Sequence, residues 1–232
     1  MKKSVLSMLL AIGSVMAPVA SMAQATAQKP PVAPEAARHA GYVEHLTPDN
    51  SFLLLIDLQD MFGMTVTSID PTSLVNNATG VVKAAKVFDV PTILASANSR
   101  TYAGPVFSNV TRARPDLDVL DRTSINAWDD RRIVEAIRKS GRKKIIIGGL
   151  WTANCVAVSA LSALGDGYEV YILSDVTADI TPQTQESAMQ RLVQAGATPI
   201  NWVALMLEWQ KDWRNEKTAP SVIQIGTEHG GA

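Results

Sequence analysis

Residues 52–57 read Phe-Leu-Leu-Leu-Ile-Asp, an unbroken apolar run that ends in a carboxylate. A run without polar alternation predicts a strand that is buried on both faces, as in a parallel sheet covered by helices. A second run of this kind is Lys144-Ile145-Ile146-Ile147-Gly148-Gly149. Because strand and helix patterns alternate along the chain, we expect right-handed βαβ units. The sequence therefore predicts the α/β class, as a three-layer α/β/α fold with an open, mostly parallel, Rossmann-like sheet.

The other predicted elements are shorter. Three further strands are expected at Val90–Ala95, Tyr168–Ser174 and Pro199–Trp202. Helices are expected at Pro71–Phe88, Asp129–Ser140, Ala153–Leu164 and Pro182–Ala195, with a last helix through Trp209. Residues 99–127 are expected to be irregular, because Gly104, Pro105 and Pro115 interrupt any helix or strand there.

The ends of the chain differ from the middle in composition. Lys2 and Lys3 precede an apolar run from Val5 to Val19 and then small residues, which is typical of a secretory signal peptide over 1–23. The alternative is a permanent N-terminal anchor. We expect a flexible leader over 24–48, the folded domain over 49–216 and a loose tail over 217–232. The mature protein is then periplasmic or secreted, with no membrane contact after signal cleavage.

Charge and residue counts exclude several classes of function. The net charge of −1 gives no electrostatic footprint for nucleic acid. The three histidines lie outside the predicted core, so neither a histidine triad nor a histidine metal site is expected. No glycine-rich phosphate loop is present, so no nucleotide cofactor is implied. The single cysteine, Cys155, cannot form an intramolecular disulfide, so its thiol is either buried and inert or functional.

Two reactive side chains follow predicted strands, where α/β sheets bind their ligands. Asp57 ends the first strand, and Cys155 falls in the first turn of the helix after the 144–149 strand. Unpaired amide groups and the helix dipole are expected to stabilise a Cys155 thiolate there. Asp57 is a candidate general base for that thiol. The alternative is that Asp57 ties down a loop and that Cys155 is a small core residue.

Two motifs carry a resemblance to a known family. Leu55-Ile56-Asp57-Leu58-Gln59-Asp60 resembles the opening motif of the isochorismatase-like (cysteine hydrolase) superfamily, and Gly148-Gly149-Leu150-Trp151-Thr152-Ala153-Asn154-Cys155-Val156 is similar to its nucleophile segment. The resemblance covers roughly residues 48–214. Ser124-Ile125-Asn126-Ala127-Trp128-Asp129 and Asp212-Trp213-Arg214-Asn215 are closer to the YcaC-like branch of bacterial hydrolases.

The resemblance implies a catalytic triad of aspartate, a basic residue and cysteine. It places Asp57 as the base and Cys155 as the nucleophile, with Arg122 where most members have lysine. Arginine stays protonated, so Arg122 can stabilise negative charge but cannot readily donate a proton. The alternative for Arg122 is a surface ion pair with Asp121 or Asp129.

The resemblance also implies an oxyanion hole and a pocket. A cis peptide is expected at Trp151–Thr152, with the backbone N–H groups of Thr152 and Cys155 forming the hole. The metal that some relatives bind is not expected, because residues 95–100 contain no histidine. The candidate pocket residues, each of which is equally well structural, are Gln59, Asn98, Asn126, Trp128 and Asn154. Trp202, Trp209 and Trp213 are expected in packing or in subunit contacts.

Together these inferences predict an exported hydrolase that acts on a C–N bond of a small amide-like molecule through a thioester. Its expected partners are a small-molecule substrate and further copies of the chain in a homo-oligomer. No cofactor is implied. The alternative is a non-hydrolytic ligand-binding or thiol-sensing oligomeric protein on the same scaffold.

Overall fold

The apolar run at 52–56 forms the centre of the sheet. Strand β1 spans Ser51–Ile56, and every one of its residues is buried. Strand β4, Lys144–Leu150, lies parallel to it with Ile56 opposite Gly149. The computed structural model describes residues 44–230 of the protein, and all statements below concern these residues.

The sheet is open and parallel. Its order is β3-β2-β1-β4-β5-β6, and every neighbouring pair runs in parallel. The strand order reverses between β1 and β4, which is the switch point where open α/β sheets bind ligands. The other strands are β2 (Thr92–Ala97), β3 (Val119–Arg122), β5 (Glu169–Ala178) and β6 (Thr198–Ile200).

Helices cover both faces of the sheet. They are α1 (Asp60–Gly63), α2 (Pro71–Val87), α3 (Ser108–Ala113), α4 (Arg131–Ser140), α5 (Ala157–Gly165), α6 (Pro182–Ala195), α7 (Trp202–Gln210) and α8 (Ala219–His229). Leu53 and Leu55 pack with α2, α7 and α8, whereas Leu54 and Ile56 pack with α4, α5 and α6. Successive side chains of a strand point to opposite faces, so β1 contributes to both cores. The predicted three-layer α/β/α fold is confirmed.

The central strands approach closely at one glycine. Gly149 has φ +141°, and a Cβ there would lie 1.9 Å from the carbonyl oxygen of Ile56. No side chain fits at that distance, so only glycine allows β4 to pair with the end of β1. This pairing sets the distance between the residues that follow the two strands.

The expectation of an irregular segment at 99–127 is wrong in part. It contains a π-helical turn at Ser99–Ala103, helix α3 and the edge strand β3. The β3 residues Val119–Arg122 are mostly half-exposed or exposed, which removes the apolar run that reveals a buried strand. Arg122 is therefore the last residue of a strand and not part of a loop.

Both ends of the domain extend further than expected. The tail is not loose from residue 217, because Ala219, Val222 and Ile225 of α8 are buried. Their spacing of three residues places them on one helix face. At the other end, Leu46 is buried and its N–H donates to Glu208 Oε2 at 2.7 Å, so the leader ends before that residue. The signal peptide and most of the leader lie outside the described residues.

Within residues 44–230, no helix is long and apolar enough to cross a bilayer. Of the three late tryptophans, Trp202 and Trp209 are core residues whose indole N–H groups donate to Asn77 and Ser51. Trp202 also begins α7 and does not end β6. Trp213 is exposed.

Candidate active site

Asp57 directly follows the carboxyl end of β1 and is the first residue of the candidate site along the chain. Its φ of +56° lies in the left-handed region, which costs an aspartate roughly 1–2 kcal/mol. The strained backbone is held on both sides, since its N–H donates to Ala95 O at 2.9 Å and its C=O accepts from the N–H of Gln59 at 2.7 Å. Such strain persists where the surroundings fix it, and it clusters at functional sites.

Arg122 reaches Asp57 from the end of β3. Its Nη1 donates to Asp57 Oδ1 at 2.5 Å and its Nη2 to Oδ2 at 2.9 Å, a bidentate ion pair. The two side chains are 1% and 0% exposed. Nη2 also donates to the carbonyl of Ile125 at 3.1 Å. The alternative of a surface ion pair with Asp121 or Asp129 is therefore wrong.

Cys155 completes the cluster. It lies in a π-helical turn, Thr152–Val156, which joins β4 to α5 and is called the 152–156 turn below. The thiol is half-buried and lies beside both the Asp57 carboxylate and the Arg122 guanidinium, whose charges act on it. The structure thus brings together the three side chains that the resemblance assigned to a triad.

The charge state of this cluster differs from the expectation. Burial and then the negative charge of Asp57 raise the pKa of the Cys155 thiol to about 12, and Arg122 offsets only part of that rise. At neutral pH Cys155 is thus a neutral thiol beside a carboxylate, and not the expected thiolate. Burial and a neighbouring anion outweigh the amide groups of the turn, since both disfavour the charged form.

Asp57 is correspondingly a stronger base than an ordinary aspartate. Burial raises the pKa of its carboxyl, and the hydrogen bonds and charge of Arg122 offset part of the rise. Desolvation of a carboxylate favours its uptake of a proton. The pair is therefore suited to moving the thiol proton onto Asp57 while Cys155 forms a bond.

Backbone hydrogen bonds fix the 152–156 turn. The amide groups of Asn154 and Val156 donate to Trp151 O at 3.0 and 3.4 Å, and that of Ala153 donates to Asp179 Oδ2 at 2.7 Å. The cis peptide is Leu150–Trp151, one residue before the expected Trp151–Thr152 bond. The Oγ1 of the buried Thr152 donates to Gln185 Oε1 and bonds to Thr177 Oγ1, which ties the turn to β5 and α6.

Three of the five candidate pocket residues have structural partners. The buried Gln59 donates to the carbonyls of Ala97 and Gly104 and accepts from the N–H of Ala97. Asn126 accepts from the N–H of Trp128, and the Trp128 indole donates to Asp166. These contacts brace loops behind the site, which is the structural alternative for all three residues.

The other two candidate pocket residues, Asn98 and Asn154, differ from these three in their surroundings. Asn98 has φ +48°, and its carbonyl accepts from Thr101 at 3.1 Å, so its backbone shapes the turn after β2. Asn154 has an exposed side chain within the 152–156 turn. Both stay predictions as pocket residues.

Sequence reasoning missed two carboxylates beside the site. Asp121 accepts from Ser96 Oγ at 2.8 Å and from the N–H of Ser99 at 3.0 Å, and its charge raises the pKa of Asp57. Asp179 is buried and follows β5, the strand next to β4. The strand-end rule that identified Asp57 could not find Asp179, because the predicted strand stopped at Ser174 whereas β5 continues to Ala178.

Two open grooves flank the cluster. One of about 390 Å³ runs between the 152–156 turn and α6, and it is lined by Ala153, Ala157, Gln183, Thr184, Ser187, Ala188 and Arg191. The other, of about 380 Å³, is lined by Asp121, Arg122, Thr123, Ser124, Asp129, Asp130, Arg131 and Arg132. Among residues 44–230, no three histidine, cysteine or acidic side chains are grouped as a metal site.

Comparison with known proteins finds relatives in sequence and solved structures of similar fold. The chain is 35% identical over 172 residues to the probable hydrolase YcaC of Escherichia coli strain K12, covering 74% of this chain and 83% of that protein. It is 27% identical over 158 residues to the secreted isochorismatase effector Isc1 of Phytophthora sojae, covering 66% of this chain and 73% of that protein.

Solved structures of YcaC proteins superimpose on it. YcaC of Pseudomonas aeruginosa, solved with hexane-2,5-diol and covalent acrylamide, gives a TM-score of 0.77 at 30% identity, covering 81% of this chain and 92% of that one. The Escherichia coli YcaC gene product, described as an octameric hydrolase of unknown specificity, gives 0.76 at 32% identity, covering 80% and 90%. The isochorismatase domain model matches residues 51–204, and the chain belongs to this family of hydrolases.

Proposed function

We propose that this protein is a cysteine-dependent hydrolase that cleaves a C–N bond of a small amide-like substrate through a thioester acyl-enzyme. One observation carries the proposal: the Cys155 thiol lies beside an Asp57 carboxylate that a buried arginine holds in place. A thiol next to a carboxylate at the sheet's switch point supports the roles of nucleophile and base for these two side chains. The family of hydrolases to which the chain belongs supports the same reading.

The first half-reaction forms the thioester. The thiol proton passes to Asp57 as sulfur bonds to the substrate's carbonyl carbon, and the carbonyl oxygen becomes an oxyanion. The oxyanion then collapses, the C–N bond breaks, and Asp57 returns the proton to the leaving nitrogen. Because Cys155 starts as a neutral thiol with a pKa of about 12, proton transfer accompanies bond formation instead of preceding it.

The second half-reaction releases the acid. Asp57 takes a proton from a water molecule whose oxygen attacks the thioester carbon. The C–S bond breaks, and the proton on Asp57 returns to the sulfur of Cys155. Backbone N–H groups of Thr152 and Cys155 are proposed to hold the oxyanion in both halves.

Arg122 has an electrostatic role in this scheme. A guanidinium is permanently protonated, so it does not exchange protons with the reacting groups. Its bidentate contact keeps both oxygens of Asp57 in place, and its charge stabilises the anion that forms on sulfur or oxygen. The lysine of most relatives can be a proton carrier, whereas here all proton transfer is assigned to Asp57.

The thiol-sensing alternative is weakened by the same electrostatics. Sensor cysteines are exposed and have a low pKa, because oxidants react with the thiolate. Cys155 is half-buried with a raised pKa. A thiol that needs a base to remove its proton in every reaction cycle suits a catalyst better than a sensor.

Location and assembly are further parts of the proposal. The signal-peptide pattern at 1–23 supports export to the periplasm or beyond the cell, and the Phytophthora relative is described as secreted. The octameric Escherichia coli YcaC supports a homo-oligomer. A small-molecule substrate fits a chain with a net charge of −1, and we assign no nucleic-acid partner.

Acylation by an activated ester tests the mechanism without the natural substrate. Purified protein is mixed with p-nitrophenyl acetate, and p-nitrophenolate release and intact mass are followed. We expect a burst of p-nitrophenolate and one added acetyl group, both absent in Cys155→Ala and strongly slowed in Asp57→Asn. Ammonia release from acetamide, propionamide and benzamide then tests C–N cleavage. Equal acetylation of the native protein and Cys155→Ala would refute the proposal.

A further inference from the structure

Asp179 is a buried carboxylate whose hydrogen-bond partners are all neutral. It is 2% exposed and follows β5 at the carboxyl edge of the sheet. Its Oδ2 accepts from the N–H of Ala153 at 2.7 Å. Its Oδ1 accepts from the N–H of Ile180 at 2.8 Å and from Thr184 Oγ1 at 3.2 Å. Within residues 44–230 it has no ion-pair partner, so only these donors offset its desolvation.

The backbone around Asp179 is held as firmly as its side chain. Its N–H donates to Ser68 Oγ at 2.8 Å, and its C=O accepts from the N–H groups of Thr67 and Ser68. The segment after α1 thus fixes Asp179 from one side and α6, through Thr184, from the other. A carboxylate immobilised in this way is able to hold a second backbone segment in a defined position.

The segment that it holds is the 152–156 turn. Three of the five amide groups of the turn have acceptors there: Ala153 donates to Asp179, and Asn154 and Val156 donate to Trp151 O. The two remaining amide groups belong to Thr152 and Cys155. These are the groups that the proposed mechanism assigns to the oxyanion hole.

We propose that Asp179 is a positioning residue, whose bond to the Ala153 amide orients the turn so that the N–H groups of Thr152 and Cys155 meet the oxyanion. The inference rests on the proposed function. Asp179 does not touch the reacting atoms and exchanges no proton with them. It acts through the peptide between the two donors, because fixing Ala153 fixes the directions of its neighbours.

The contribution of the oxyanion hole and the reactivity of the thiol can be measured in two separate reactions. Acylation by p-nitrophenyl acetate passes through a tetrahedral oxyanion and needs the hole. Alkylation by iodoacetamide displaces iodide at a saturated carbon and forms no oxyanion. A variant that loses the hole but keeps the thiol therefore slows the first reaction and leaves the second unchanged.

Asp179→Asn is the sharpest substitution. An asparagine offers one acceptor oxygen, whereas the native carboxylate accepts on both sides, so either Ala153 or Ile180 loses its partner. The matched control is Asp175→Asn. Asp175 lies on β5, and like Asp179 it is a carboxylate that accepts a backbone N–H, here that of Trp202 at 3.0 Å. Asp179→Ala removes both oxygens, and circular dichroism establishes that each variant is folded.

The expected result is a split between the two reactions. In Asp179→Asn and Asp179→Ala, the acylation rate falls about 10- to 100-fold, less than the roughly 100- to 1,000-fold loss on removing a donor, because both N–H groups remain but are misdirected. The alkylation rate stays within about threefold of the native value, and Asp175→Asn changes neither rate by more than that. A parallel fall of both rates would show that Asp179 merely maintains the fold around Cys155, and unchanged acylation would show that it has no role; both results overturn the inference. If the native protein itself shows no burst above Cys155→Ala, the proposed function fails, and the inference fails with it.

Discussion

Replacing Asp57 by asparagine should slow hydrolysis but speed up alkylation of the thiol. The substitution keeps the shape of the side chain and removes the negative charge that raises the pKa of Cys155, while Arg122 keeps its positive charge. The pKa of the thiol should therefore fall. Hydrolysis should fall because asparagine cannot accept the proton.

The magnitude follows from the thiolate fraction. With a pKa of about 12, Cys155 is ionised at pH 7.5 in only about one molecule in 30,000, against roughly one in ten for an ordinary thiol. Native Cys155 should thus react with iodoacetamide about 3,000-fold more slowly than a free thiol. Since burial is the largest cause of the raised pKa, removing the charge recovers part of this difference, about 10- to 100-fold.

Alkylation is measured by intact mass between pH 6 and pH 10. The chain has a single cysteine, so each added group reports on Cys155, and Cys155→Ala supplies the blank. In the native protein the logarithm of the rate should rise with pH at unit slope and without a plateau, because the whole range lies below the pKa. Slower alkylation of Asp57→Asn than of the native protein would refute this electrostatic account and show that the carboxylate activates the thiol in the resting enzyme.

Three further predictions concern stability. Arg122→Leu should lower the free energy of unfolding by about 3–5 kcal/mol, because it leaves Asp57 buried and unpaired. Arg122→Lys keeps the positive charge and should lose less stability. Urea unfolding measures both variants, and equal losses would contradict the ion-pair explanation. Gly149→Ala should lower the free energy of unfolding by more than about 3 kcal/mol or prevent folding, because its Cβ would overlap the carbonyl of Ile56. Gly165→Ala, whose Cβ meets open space, should stay within about 1 kcal/mol of the native protein. Thermal melts compare the two variants, and a small loss of stability in Gly149→Ala would disprove the close approach. The raised pKa of Cys155 should make the free energy of unfolding fall with rising pH. The stability that comes from keeping this thiol neutral is fully present below the unfolded-state pKa of about 8.5. It is lost toward pH 12, at up to about 1.4 kcal/mol per pH unit. Cys155→Ala should reduce the steepness of that decline in urea titrations between pH 8 and pH 10, and an identical pH dependence would argue against a buried neutral thiol.

The centre of the fold could be predicted because its signals are local. An apolar run such as 52–56 needs no knowledge of its neighbours to be recognised as a buried strand, and the side chain that follows it must lie at the sheet edge. Asp57 and Cys155 were found in this way, and the family resemblance added Arg122. The three-layer fold followed from the same alternation.

What could not be predicted depends on contacts between distant segments. β3 is short and partly exposed, so its pattern does not differ from that of a loop. Helix α8 is apolar on one narrow face only, and that face is recognisable once α2 is known to cover it. The neutral state of Cys155 arises from burial and from a carboxylate 98 positions earlier in the chain, neither of which its own segment reveals.

The ion pair between Asp57 and Arg122 joins the ends of two strands that are not neighbours, since β2 lies between β1 and β3. It therefore serves the architecture of the sheet as much as any reaction. A descendant protein that abandoned hydrolysis would still be under pressure to keep both residues, because losing either leaves a buried charge behind. The fold does not require Cys155 in the same way, since a small side chain can replace its half-buried neutral thiol with little loss of stability. In this scaffold, the Asp–Arg pair is therefore expected to persist whether or not a thiol stands beside it.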